Sequence, residues 1–145
     1  MPQVNPLSSD VVGEISAVIP SGYQRLEVTR GAEPAEVISA VEAVLLQHRR
    51  GQDELDRSDL IALGVVLGDV YVQSLGWEWV ELGYPDGATA FAVLDPTHAV
   101  GNQPMNWVYD IAGSSNREIA LLLGYNLVAA GSLPPAEPGD AIMLH

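Results

Sequence analysis

Leu60 to Leu82, LIALGVVLGDVYVQSLGWEWVEL, is the stretch that decides the fold. Up to Leu75 its apolar residues recur at helical spacing but so densely (Leu60, Leu63, Gly64, Leu67, Val70, Tyr71, Leu75) that only a central, largely buried helix accommodates them. Asp56 or Ser58 is suited to cap its start, and Gly76 to end it in the left-handed conformation. Gly64 and Gly68 each lower helix propensity by about 1 kcal/mol relative to alanine, which predicts close packing against them. After Gly76 the period becomes two: Trp77, Trp79 and Glu81 on one side, Glu78, Val80 and Leu82 on the other. GYPDG (83–87) supplies turn chemistry and TAFAVL (89–94) a returning strand, so an antiparallel hairpin follows the helix.

Outward from this core the punctuation predicts four more segments. A helix over 8–19 is capped by Ser8 or Ser9 and followed by Pro20, with Tyr23, Leu26 and Val28 in a loop or short strand. A helix over 34–50 begins at Pro34, carries Val37, Val41, Val44, Leu45 and His48 on one face, and stops at Gly51. DPTHAVGNQP (95–104) has room for a short third strand, while MNWVYDIAG (105–113) reads equally as helical turn or strand. A closing helix over 115–130 is suggested by Ser115 and Glu118 as a capping box and by Ile119, Leu122, Leu123 and Leu127. The expected organisation is one α+β domain over 1–131, a small antiparallel sheet packed against several helices, chiefly the 57–75 and 115–130 segments. A loosely attached, proline-rich C-terminal tail, SLPPAEPGDAIMLH (132–145), completes it.

Composition narrows the chemistry. The 145 residues include 48% hydrophobic residues and no cysteine, which removes thiol nucleophiles, disulfides and thiolate metal sites. MPQVNPLSSD has no basic start or apolar run of the signal-peptide type, and the continuous apolar run from Leu60 to Gly68 is well short of a membrane span, so a cytoplasmic protein is expected. Nineteen acidic residues stand against six basic ones, all arginine, for a net charge of −13. From residue 59 onward ten carboxylates accompany Arg117 alone. A field of that sign repels phosphate backbones and argues against nucleic acid.

Catalytic signatures are missing or better explained otherwise. There is no G-x-S-x-G, and without lysine there is no Schiff base and no P-loop clamp. His48, His98 and His145 lack the spacing of a metal site, and the acidic run around Asp53, Asp56 and Asp59 lacks the glycine and terminal glutamate of an EF-hand. Asp95 and His98 lie close enough in sequence for a carboxylate-oriented imidazole, though a solvated turn explains them as well. The expectation is therefore no catalytic residue, no metal and no cofactor.

The remaining signal lies in the tryptophans and their acidic neighbours. Trp77 and Trp79 on one strand face, with Trp107 where the chain returns, would form with Glu78, Glu81, Asp86 and Asp95 an aromatic, acid-rimmed surface for a basic protein partner. The competing reading makes the tryptophans core, leaving Glu78 and its neighbours to meet a partner alone.

Leu63-Gly64-Val65-Val66-Leu67-Gly68 followed by Gly76-Trp77-Glu78-Trp79 resembles a bacterial family of uncharacterised small α+β domains, with an L-G-x-x-L-G helix leading into a G-W-x-W strand, over residues 58–112. The resemblance implies the α+β fold and a bacterial source, and it transfers no catalytic residue. Small acidic bacterial proteins of this build are also similar in type to immunity proteins that neutralise a basic toxin by occlusion. A protein-binding domain of that kind is the leading expectation. The alternative is a small-molecule-binding or enzymatic domain with a pocket between the 77–94 hairpin and the 95–110 segment. A third is a homo-oligomer joined through the glycine-lined helix.

Overall fold

The computed structural model describes residues 2–145. Its elements are β1 (Gln3–Pro6), α1 (Ser9–Leu26), α2 (Pro34–Arg49), α3 (Arg57–Leu75), β2 (Glu78–Gly83), β3 (Thr89–Leu94), β4 (Val100–Asn102), α4 (Pro104–Ala112), α5 (Leu121–Ala129) and β5 (Ile142–Met143). The five strands lie side by side in chain order. The first three pairings are antiparallel and the last, β4 with β5, is parallel, so the expected antiparallel sheet is mixed at one edge. This is an α+β fold with a small sheet.

α3 is the central helix, packed by α1, α2 and α4 and touching β2 and β3. It is long and apolar enough to cross a membrane by length and composition alone; here its residues from Ala62 to Tyr71 are all buried within the fold. A reciprocal capping box opens it: Asp59 N donates to Asp56 Oδ1 at 2.8 Å and Asp56 N to Asp59 Oδ2 at 3.1 Å. Gly76 closes it at φ 71°. The expected close packing is present. A Cβ on Gly64 would lie 2.5 Å from Met105 Cα, and one on Gly68 would run into the Trp79 ring. Both glycines are thus covered from within the chain, which removes the glycine-lined face as a route to a second copy.

Three expectations need correction. The first helix does not stop at Pro20 but continues to Leu26. Proline there forfeits the bond to the Ser16 carbonyl and disfavours the helix by about 3 kcal/mol, yet Ile15, Ile19, Gly22, Tyr23 and Leu26 are all buried along the continuing helix. Gly22 sits so near α3 that a Cβ would meet Val66 Cγ2 at 2.5 Å. Burial of that face outweighs the local defect.

The closing helix begins at Leu121, not Ser115. Arg49 on α2 donates to the Ser115 and Arg117 carbonyls at 2.7 and 2.6 Å, turning outward two acceptors a helix would use internally. Glu42 Oε2 accepts from Leu122 N instead of a local cap, and α5 packs on α2. MNWVYDIAG, which reads equally as helical turn or strand, lies in helix α4 and its C-terminal cap.

The expected loose tail returns to the sheet. Ile142 N and Leu144 N donate to the Ala99 and Gly101 carbonyls at 2.9 and 2.8 Å, Gln103 N donates to the His145 carbonyl at 3.0 Å, and Ala141 is buried. His145 stacks on Trp107, ring centroids 3.8 Å apart and 6° from parallel.

Although His145 is exposed as a residue, burial of its ring against Trp107 and then the Arg117 charge hold its imidazole below the ordinary 6.5. A base lowered in the folded state contributes undiminished stability above the unfolded value, and stability is lost as pH falls below it, because the unfolded chain takes up the proton first. Between pH about 7.5 and about 5.5 the thermal midpoint should therefore fall more in the native chain than in His145→Phe, which keeps the stacking without the titration. Equal falls would show that the stack places no constraint on protonation.

Candidate functional site

A cleft of about 440 Å³ opens between α1, α3 and the β1–β2 edge of the sheet. Val12, Ile15 and Ile19 line it from α1, Val72 from α3, and Trp79 and Val80 from β2. The polar groups on its lining are Ser16, Arg30, Asp69, Glu78 and His98. Amphipathic spacing on α1 produces the apolar wall, and the glycine at 68 lets Trp79 lie against α3 beside Asp69.

Among the described residues Asp69 is the one buried carboxylate. It sits in the middle of the apolar spine at 2% exposure, where a bare carboxylate would be very costly. Three hydrogen bonds satisfy it: Tyr23 Oη donates at 2.7 Å, and Arg30 donates through Nε and Nη2 at 3.0 and 2.9 Å. The forked geometry joins α1, the loop after it and α3. Burial first, then the Asp69 contact, pushes the Tyr23 phenol far above its usual value, and the hydrogen bond to Asp69 raises the Arg30 guanidinium further. Nothing in the sequence marks Tyr23 or Arg30 as functional. The one available signal was a lone aspartate on an otherwise buried helical stripe.

The residues expected to form a partner surface are dispersed. Trp77, at 6% exposure, packs on Tyr71 with ring centroids 4.9 Å apart. Trp107, at 3%, lies on α4 between His145 and Gly124. Both are core residues, so they supply no surface anchor, and the competing reading holds for them. Trp79 alone is partly exposed, and it lines the cleft.

Among the acidic candidates, Asp86 accepts from Ala88 N within the hairpin turn. Asp95 organises the next turn, accepting from Thr97 Oγ1 and Ala99 N at 2.7 Å each and from Val100 N at 3.0 Å. Burial pushes its carboxyl up, but these donors together bring it below the ordinary value. Glu81 is half-buried in the middle of the sheet, opposite Phe91. Glu78 reaches the His98 Nε2 instead, so the supposed Asp95–His98 side-chain pair does not form. His98 holds a left-handed φ of 57°, a conformation uncommon outside glycine and polar turn residues.

No protein-family model, curated protein or solved structure matches this chain. Its site must therefore be read from its own geometry.

A second cleft of similar size lies between β3, α3 and α4, lined by Leu60, Ile61, Phe91, Met105 and Tyr109, among others. It is nearer the location expected for a pocket, between the hairpin and the 95–110 segment. Among the described residues Arg57 is the one charged side chain on its lining, whereas the α1–β2 cleft gathers four ionisable side chains around an aromatic ring.

Proposed function

We propose that this protein is a non-enzymatic binding domain whose α1–β2 cleft holds a small, mostly apolar molecule. The observation that carries this reading is the lining itself: aliphatic walls and one tryptophan, with a few polar groups among them, including the Arg30 guanidinium held on the buried Asp69 carboxylate. Concave apolar sites with a small number of positioned polar groups are the usual form of small-ligand sites.

The uncharged fluorescent probe N-phenyl-1-naphthylamine tests it. Its emission should rise saturably with one site per chain. Val12→Trp, which fills the cleft from an exposed position on α1, should weaken binding by about tenfold or more. Ile61→Trp, in the second cleft, should leave it unchanged. The opposite pattern would move the site to the second cleft, and no saturable signal would reject the reading.

A second reading keeps the basic protein partner, as for an immunity protein facing a basic toxin. In its support, among the described residues only four of the nineteen carboxylates, Asp53, Asp59, Asp69 and Glu78, lie within ion-pair distance of an arginine or histidine. The rest of the acidic surface lacks local compensation and would steer a cationic protein toward it. On that reading association slows as salt passes about 0.15 M.

A further inference from the structure

The charges around the α1–β2 cleft are unequal in what they can still bind. Arg30 is held on Asp69 by two hydrogen bonds, so its positive charge is answered at contact by a carboxylate that is itself buried. Glu78 differs. Its side chain is 58% exposed, its one side-chain partner is His98 through Oε1, and Oε2 has no partner among the described residues. The lining carries two carboxylates, Asp69 and Glu78, and one guanidinium, Arg30. Trp79, the next residue, lines the same cleft, and aromatic rings attract cations. Beyond the cleft the whole chain carries −13, a field that enriches cations at the surface.

From these features we infer that the ligand is a cationic amphiphile, its ammonium or amidinium group beside Glu78 and Trp79 and its apolar body along Val12, Ile15 and Ile19. This rests on the cleft being the binding site. It goes further in assigning the sign of the ligand's charge and the residue that reads it. Because Arg30 and Asp69 answer each other's charge, Glu78 is the carboxylate left for the ligand.

Displacement of N-phenyl-1-naphthylamine by three molecules with the same tail, decylammonium, decanol and decanoate, tests the inference. Decylammonium should compete best, by about tenfold over decanol, with decanoate weakest. Glu78→Gln keeps the side-chain shape at an exposed position; it should remove about tenfold from decylammonium affinity and leave decanol within about twofold. Raised salt should bring both decylammonium and decanoate toward decanol, whose competition should hardly change. Equal competition by all three, stronger competition by decanoate, or an unchanged decylammonium affinity in Glu78→Gln overturns the inference while the cleft stands. Failure of all three against a bound probe overturns it equally. If the probe itself does not bind, the cleft reading falls and the inference with it.

Discussion

Asp69→Ala should lower the folding stability by about 2–4 kcal/mol. Breaking a buried ion pair from one side costs about 3–5 kcal/mol when the surviving charge is trapped; here the Arg30 side chain is 49% exposed and can turn to water, which reduces the figure. The Tyr23 hydroxyl has no such escape. Tyr23 is itself buried, and an unmade hydrogen bond at a buried donor costs about 1–3 kcal/mol. Urea midpoints for the native chain, Asp69→Ala and Tyr23→Phe measure this directly. Tyr23→Phe removes donor and need together and should lose only about 0.5–1.5 kcal/mol. A loss below about 1 kcal/mol in Asp69→Ala would mean that water already reaches the carboxylate.

Gly68→Leu should be the other large effect, at about 1–3 kcal/mol or more, because overpacking a dense core forces side chains and backbone apart. The first atom added meets the Trp79 ring. Alanine substitutions separate two kinds of obstruction. At Gly68 the obstacle is a side chain that can shift, whereas at Gly64 it is the Met105 backbone, with Cα 2.5 Å and N 3.0 Å from the new Cβ. Gly64→Ala should therefore be the more destabilising alanine variant. Gly13, on the exposed side of α1 with nothing within 4 Å of an added Cβ, provides the control: Gly13→Ala should stabilise by about 0.5–1 kcal/mol. Thermal or urea midpoints in the order Gly13→Ala, native, Gly68→Ala, Gly64→Ala would bear out this packing. Equal midpoints for Gly64→Ala and the native chain would place α4 elsewhere.

Local chemistry made much of the architecture legible. α3 with its Asp56 cap and Gly76 stop, the hairpin around GYPDG and the Pro34 start of α2 all follow from signals within a few residues. The departures arise where distant residues decide. α1 passes Pro20 because its apolar face meets α3, and Ser115 does not start a helix because Arg49 takes the carbonyls. Residues 141–145 join the sheet because backbone acceptors at Ala99 and Gly101 await them. The candidate site was less legible for the same reason. Trp79, Glu78 and Asp69 stand out in the sequence, but only the fold joins them to Arg30 and to the α1 wall, contributed by parts of the chain far away in sequence.

The order of the strands also bears on how the chain folds. β2, β3 and β4 are joined by short turns, so their pairing closes only small loops and carries a small entropic penalty. Both outer strands are different. β1 reaches β2 only after three helices have been placed between them, and β5 reaches β4 across α4 and α5. Pairings of that sequence separation carry the larger loop-closure penalty and slow folding, whereas the three-stranded meander on α3 is built from contacts close in sequence. Because β1 helps line the α1–β2 cleft through Val4 and Pro6, the cleft depends on one of these long-range pairings, whereas the fork on Asp69 draws only on α1, the loop after it and α3.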